Sequence, residues 1–447
     1  MFEHLPGFRD FYPEDFALRK QVFAIFREVA ARFDFREYDA PVLEPLEMYL
    51  EKSGEEIVSQ LFHFTDQGGR DVALRPELTP SLARLVGAKS ESLKRPIKWF
   101  HVGEHFRYER PQKGRLRSFF QFNADILGES DPAADAELIA LLAAILSEFG
   151  LGQDHFRIRL SDRVIWSLFL ESQKAPQDKR GDLLNVIDKS SRRKPEATKE
   201  ALDALLPGKS DAFLEAVEEL KAINTLEAVM ERLRSFSQFQ GDEAEHRADD
   251  WQSLIARLES LGYMDLVVID LGIVRGLAYY TGFVYEAFET TGDSRALAGG
   301  GRYDHLVAKL SGGSADLPAT GFALGDVTLA DCLEKNNLLP ETACEPDLYL
   351  IAGGKEERGT ALSDATRLRK AGYSVSYPLR GQGFGKQFRE AGRSGADFAL
   401  IYGEEELSAG KVKVKDLNSG VELSVDSSSL LEQLLAIEEA GGISTES

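Results

Sequence analysis

Between residues 14 and 33, apolar side chains recur at Leu18, Val22, Phe26, Val29 and Phe33 with polar residues between them, a helical spacing that predicts an amphipathic helix. Tyr38 to Leu43 reads as a short strand, and Pro41 within it suits an edge or an interface. A helix is expected over residues 79–88, where Thr79 is a cap residue and Pro80 a first-turn proline. The clearest helical pattern runs over 134–150 and stops at Gly150. Residues 172–250 keep a helical period but are charged and poor in strand formers, so they read as a helical insertion. The apolar run DLVVIDLG, 265–272, suits a strand buried on both faces. Polar and proline punctuation marks 336–346 as a linker, and the strand–helix alternation beyond it predicts a small α/β domain with mostly parallel strands.

A period of two governs residues 97–109. It puts Phe100, Val102, Phe106 and Tyr108 on one face and His101, His105, Arg107 and Glu109 on the other. After a turn around PQKG the period resumes, with Phe120, Phe122 and Ile126 on one face and Arg117, Phe119, Gln121 and Asp125 on the other. A β-hairpin with one apolar and one polar face follows. A solvated polar face would explain most of this pattern. Phe119 argues for more, because an aromatic ring among arginines suits a base stacked between ring and guanidinium, and the arginines suit phosphates.

Charge sharpens that reading. The chain has 447 residues and a formal net charge of -21, yet RYERPQKGRLR, 107–117, holds five cations against one anion. So acidic a chain repels phosphates at long range, so any polyanion must be held by a local basic patch. The length implies two or three domains. Two cysteines, Cys332 and Cys344, without metal-ligand spacing imply neither a disulfide framework nor a zinc site. His101 and His105 lie four apart on a strand with no third ligand, so no metal site made by the protein alone is expected. The first residues lack the apolar run of a signal peptide, and no stretch approaches a membrane span, which predicts a cytoplasmic protein.

Three further polar clusters fall where elements meet. Glu77 and Thr79 precede a helix and could bind a ligand amine, or simply cap it. Arg275 and Tyr280 follow a strand, where active-site groups collect, although a structural arginine is equally consistent. AGGGRYDHL, 298–306, is glycine-rich but has neither the Lys and Ser/Thr of a phosphate loop nor the GxGxxG spacing.

Together these motifs resemble the class II aminoacyl-tRNA synthetases, and among them the histidyl-tRNA synthetase family, in particular its plant, organellar and related bacterial members. The first helix with Pro41 resembles motif 1, FRYERPQKGRLRSFFQFNADILG motif 2, and GFALGDVTL, 321–329, motif 3; RGLAYYTG and GGGRYD resemble the histidine-specific signatures. The resemblance implies an α+β catalytic domain, an antiparallel sheet flanked by helices, over 1–335, interrupted by the insertion at about 172–250. It implies an α/β anticodon-binding domain over 347–447. The implied activity is ATP-dependent formation of histidyl-adenylate and transfer to tRNA(His), with Mg²⁺ accompanying ATP and a homodimer formed through the motif 1 region.

Position by position, the resemblance assigns Arg107 and Glu109 to the ATP phosphates and adenine end, and Phe119 to the adenine face. Arg115, Arg117 and Arg302 join them as ATP-binding candidates. Glu77, Thr79 and Gln121 match the α-amine contacts of histidine; Asp125 and Tyr280 match the imidazole contacts, with Tyr303 lining that pocket. Arg275 matches the arginine that touches the α-phosphate and substrate carboxylate, and with Arg107 is the expected catalytic residue.

Two positions depart from the family pattern: Thr328 stands where motif 3 supplies an arginine, and Ala278 where the signature usually has Asp. A catalytically silent relative acting as a histidine-sensing regulatory subunit of ATP phosphoribosyltransferase is therefore the alternative. Such subunits generally lack the C-terminal domain, which favours the enzyme, with Arg110, Arg115 or Arg302 expected to replace the missing cation.

Overall fold

The computed structural model describes residues 2–443 apart from 54, 111, 113, 191–192, 275–278, 292–295, 343 and 441–442, and apart from the side chains of 51–53, 55–57 and 237–241. The chain divides into two compact units, Met1–Glu341 and Thr342–Ser447.

The strands of the first unit are β1 (Arg36–Glu37), β2 (Leu43–Pro45), β3 (His63–Thr65), β4 (Asp71–Leu74), β5 (Ile97–Phe106), β6 (Ser118–Leu127), β7 (Phe156–Asp162), β8 (Val267–Ile269), β9 (Phe283–Glu289), β10 (Ala298–Arg302) and β11 (Ala319–Gly325). Eight form one sheet in the order β1-β5-β6-β11-β10-β9-β7-β8, antiparallel except for the two outermost pairs. Strands β2, β4 and β3 form a separate small sheet.

Helices Pro13–Arg32 and Ala133–Glu148 cover one face of the large sheet. Phe26, Val29 and Ala30 of the first meet Phe100 and Phe122, and the second contributes a nearly continuous buried row from Leu138 to Leu146. Gly150 then takes φ +82°, the left-handed conformation that ends such helices with least strain. Five helices among the described residues, Arg163–Ser172, Arg180–Ser190, Pro195–Leu205, Ser210–Lys221 and Leu226–Ser260, follow between β7 and β8.

Three expectations need correction. The single strand over 38–43 is instead two short ones, β1 and β2, because the chain leaves its pairing with β5 to pair with β4, Asp39 Oδ1 takes the Ala40 N–H, and Pro41 has no N–H for a ladder. The run 265–272 shortens to three residues and is not buried on both faces, since β8 is the last strand of the sheet and Val268 is 36% exposed. On the polar face of the hairpin His101 and His105 are buried, which goes against the solvated alternative. In the second unit, β12 (Leu348–Ala352) is parallel to β13 (Val375–Ser376) and to β14 (Phe398–Tyr402), but β15 (Lys411–Asp416) and β16 (Glu422–Asp426) add antiparallel edges, so that sheet is mixed rather than mostly parallel.

The long helix Leu226–Ser260 is bound to the sheet by a buried charge network. Arg247 donates from Nε and Nη2 to Asp162 at 2.6 and 3.0 Å, its guanidinium lies 3.7 Å from the Phe283 ring centroid, and Trp251 Nε1 donates to Asp162 at 2.7 Å. Asp162 also caps the next helix by accepting from Val164 N–H. Arg247→Ala leaves a buried carboxylate without its counter-charge, and chemical denaturation should show a loss of about 3–5 kcal/mol.

Candidate active site

The cleft is built on β6. Because alternate residues of a strand face the same way, Phe119, Gln121, Asn123 and Asp125 line one wall in sequence. Glu77 and Thr79 enter from the start of the helix Thr79–Gly87, Arg107 and Arg115 from the hairpin loop, Tyr280 from ahead of β9, and Tyr303 from just after β10. The volume of this open cleft is about 640 Å³, within the range of small-molecule sites. No side chain caps the helix at Thr79, whose capping position is occupied by Leu78, so capping does not account for Glu77 and Thr79.

At one end Asp125, 5% exposed, accepts from the Tyr303 hydroxyl at 2.5 Å. Burial and the neighbouring carboxylate push the Tyr303 phenol well above its ordinary range, so it stays a donor. Gly321 of β11 sits opposite Asp125 in register, and a Cβ there would lie 1.9 Å from Asp125 Oδ1. The carboxylate occupies the space that a side chain at 321 would fill.

At the other end the Arg107 guanidinium lies 5.1 Å from the Phe119 ring centroid while its Nε donates to Pro76 O at 3.1 Å. Arg115 Nη1 is 2.5 Å from Glu109 Oε2. Behind Phe119 lies His105, its ring 6.0 Å away and stacked, with Nδ1 3.0 Å from Gly103 O. Arg75 is packed next to these histidines, donating to Asp39, to Ala40 O and to Glu104 O. Burial and then Arg75 push His101 down to about 4 and His105 well below its ordinary value. Both rings are neutral at neutral pH.

Nine of the expected residues therefore meet in one cleft: Glu77, Thr79, Arg107, Arg115, Phe119, Gln121, Asp125, Tyr280 and Tyr303. Arg275 lies outside the described residues, as does Ala278. Glu109 and Arg117 are not on the cleft wall: Glu109 holds Arg115, and Arg117 lies over the Tyr108 ring at 4.5 Å with Nε bonded to Glu109 O. Arg302 is a clear correction. It is 5% exposed and points away from the cleft into Asp135, with bonds from Nε and Nη2 at 3.0 and 2.5 Å. Its remaining donors reach Glu129 O, Asp131 O and Asp304. All of its bonding capacity is spent on the protein, so it has no donor for a phosphate.

Sequence reasoning missed Asn123, Tyr279, Glu286 and Asp326, which also line the cleft. The two-residue period that selects 119, 121 and 125 passes through 123 and would have found it. No local signal joins Arg9 to Asp326, although its Nη2 donates to that carboxylate at 2.7 Å from 317 residues away. Asp326 Oδ1 also accepts from Phe120 N–H, tying β6 to the helix Asp326–Lys335. Thr328 lines the cleft in the first turn of that helix. Among the described residues no cluster of three His, Cys, Asp or Glu side chains is placed to hold a metal ion.

Comparison with known proteins agrees with this geometry. The family model described as "Histidyl-tRNA synthetase" matches residues 7–328, and that described as "Anticodon binding domain" matches 347–437. The histidine–tRNA ligase of Opitutus terrae is 49% identical, covering 95% of this chain and 96% of its own. The chloroplastic/mitochondrial histidine–tRNA ligase of Arabidopsis thaliana is 37% identical over 95% of this chain and 85% of its own. The crystal structure of histidyl-tRNA synthetase from Nostoc sp. PCC 7120 superposes with a TM-score of 0.80, at 24% identity, over 98% of this chain and 99% of that one. A central antiparallel sheet flanked by helices, carrying a cleft on its motif 2 strand, defines a class II aminoacyl-tRNA synthetase catalytic domain. Within that class, the chain belongs to the histidyl-tRNA synthetase family.

The buried histidines give the site an acid limit. A folded-state value of about 4 for His101, against about 6.5 in the unfolded chain, means that the unfolded state binds more protons between those values. Stability is full above pH 6.5 and falls as the pH drops toward 4, by on the order of 3 kcal/mol from His101 alone. Denaturation of wild type and His101→Gln across that window should show a shallower fall for the variant.

Proposed function

We propose that this chain is a histidine–tRNA ligase, which activates L-histidine with ATP and transfers the acyl group to tRNA(His). The observation that carries the reading is the two-ended cleft: a buried carboxylate–tyrosine pair with Glu77 and Gln121 at one end, and an aromatic ring with two arginines at the other. Asp125, whose carboxylate keeps acceptor capacity beyond the bond it takes from Tyr303, suits the N–H of an imidazole ring. Glu77 suits the α-ammonium. Phe119, backed by neutral His105, suits a purine face, and Arg107 and Arg115 suit the phosphates.

The histidine carboxylate attacks the α-phosphorus in line and pyrophosphate leaves; a ribose hydroxyl of the tRNA then attacks the acyl carbon of the adenylate and AMP leaves. Neither step needs a strong acid or base, so the side chains work by positioning the reactants and by neutralising charge on phosphorus. Mg²⁺ enters as part of the ATP substrate. With Arg302 withdrawn into the core and Arg110 exposed, Arg115 is the loop cation that supports the triphosphate in place of the arginine absent at 328, and Glu109 orients it. The regulatory-subunit alternative is disfavoured by the second unit and by 49% identity along nearly the whole chain to a ligase.

The catalytic domain is taken as 1–335 with its insertion at about 172–250, joined by the linker 336–346 to an anticodon-binding domain over 347–447. A homodimer through the motif 1 region is supported by Val42, Leu43 and Phe64, large apolar side chains 41–52% exposed around the small sheet. No helix among the described residues is long and apolar enough to cross a membrane, which is consistent with the cytoplasmic location expected of the chain.

Histidine-dependent exchange of pyrophosphate into ATP tests the function directly, and its absence would sink the ligase reading. Arg115→Ala should raise KM for ATP by roughly 10- to 100-fold, the worth of a charge-assisted hydrogen bond, while changing KM for histidine little. Removing residues 342–447 should cut tRNA charging far more than pyrophosphate exchange; an equal loss of both would contradict the role given to the second unit.

A further inference from the structure

The wall of the cleft is more acidic than a polyanionic ligand would favour. Among the described residues it carries four carboxylates, Glu77, Asp125, Glu286 and Asp326, against two arginines, Arg107 and Arg115. Glu77 and Asp125 are taken up by the ammonium and the imidazole N–H of histidine. Asp326 stands at the nucleotide end, beside Phe119, because its Oδ1 accepts from the Phe120 N–H at 2.9 Å. The β6–β11 ladder ends at Gln121 and Gly325, so this carboxylate supplies the acceptor that a further rung would have given. It also lies in the first turn of the helix Asp326–Lys335, where negative charge is favoured. The fold therefore has its own reasons for an acid at 326. A triphosphate brought to the same end has the opposite requirement, since like charges in a cleft of low dielectric repel.

Arg9 resolves that conflict from outside the cleft. Its Nη2 donates to Asp326 Oδ2 at 2.7 Å, and the carboxylate side chain is 11% exposed. The arginine is placed independently of the acid. Gly7 O accepts from the N–H groups of Arg117 and Ser118 at 2.9 and 3.1 Å, which fixes the segment to the start of β6 two residues before Arg9. Gly7 takes φ +87°, and a Cβ there would lie 2.9 Å from Arg117 Cγ, so the close approach needs glycine. Arg19 is the other cation nearby, but its guanidinium is held over the rings of Phe11 and Phe120, 4.1 and 4.5 Å from their centroids. Arg9 itself does not line the cleft, so whatever it does for a ligand it does through Asp326.

We propose that Arg9 is a positioning residue for the nucleotide: by pairing with Asp326 it removes an uncompensated negative charge from the triphosphate end of the cleft, and so permits ATP to bind without touching it. The proposal rests on the ligase reading for the placement of ATP. It is tested by calorimetric titration of wild type, Arg9→Lys, Arg9→Ala and the double variant Arg9→Ala/Asp326→Asn with two probes: Mg·ATP, and adenosine, which has the same base and ribose but no phosphate. Arg9→Ala should bind Mg·ATP about tenfold more weakly and adenosine as wild type does. Arg9→Lys keeps the charge and should bind Mg·ATP nearly as wild type does. The double variant has neither charge and should recover most of the loss. Equal weakening of both probes in Arg9→Ala would make the pair a structural tie and overturn the proposal, as would unweakened ATP binding or a double variant no better than Arg9→Ala. Both probes are compared on the same folded protein, so a general loss of stability cannot mimic the split between them. Wild type that binds Mg·ATP yet gives no histidine-dependent pyrophosphate exchange would end the ligase reading alone, because the Arg9 comparison is read from ATP binding; wild type that binds no ATP would end both.

Discussion

The cleft depends on one steric constraint, the absence of a side chain at Gly321. Strands β6 and β11 are paired so that residue 321 faces residue 125, and the Asp125 carboxylate occupies the volume that any Cβ there would claim. With that volume open, the carboxylate can be buried and still receive the Tyr303 hydroxyl. A slip of the β6–β11 pairing by one residue would put Phe322 or Thr320 opposite Asp125 and send every second side chain of β6 to the other face. The glycine, the register and the acid are thus one device, and the rest of the wall, from Phe119 to Asp125, is placed by it.

Buried arginines hold the frame around that device, and they do so in different ways. Arg302 ties β10 to the helix Ala133–Glu148 through Asp135, which also accepts from Thr320 Oγ1 on β11. Tyr303, the next residue, is thereby fixed against Asp125. Arg247 ties the long helix to β7, and Arg75 ties the small sheet to the backbone at Ala40 and Glu104. Each is enclosed and multiply bonded, the condition under which a buried charge is tolerated. Arg107 and Arg115 differ from them in position: they reach the cleft wall from a loop and keep solvent access on that side.

Much of this was legible in the sequence where the signal is local. Period two along 97–109 and 117–126 identified the hairpin and its inner face, and helical spacing identified the helices Pro13–Arg32 and Ala133–Glu148. Phe119 stood out because a ring among cations has no cheap solvated state. Failures came where the outcome depends on a neighbour distant in the chain. The run 265–272 is apolar enough for a central strand, yet β8 lies at the sheet edge because no further strand pairs with it. His101 and His105 alternate with apolar residues like surface groups, and it is Arg75, from another strand connection, that lies beside them in the interior.

The sequence by itself determined the period of each element, the family pattern that groups those elements, and the residue types available to a nucleotide and an amino acid. Only the tertiary structure decided which of the candidate cations were free to bind anything. Arg115 and Arg302 are the same residue type, each inside a motif of the family, and nothing within a few positions distinguishes them. What separates them is the carboxylate each one meets. Asp135, brought to Arg302 from 167 positions away, takes its donors into the core, whereas Glu109, from the same loop, holds Arg115 at the cleft. Charge pairing acts over a few ångströms of space and is indifferent to chain separation, so it cannot be read from a local pattern.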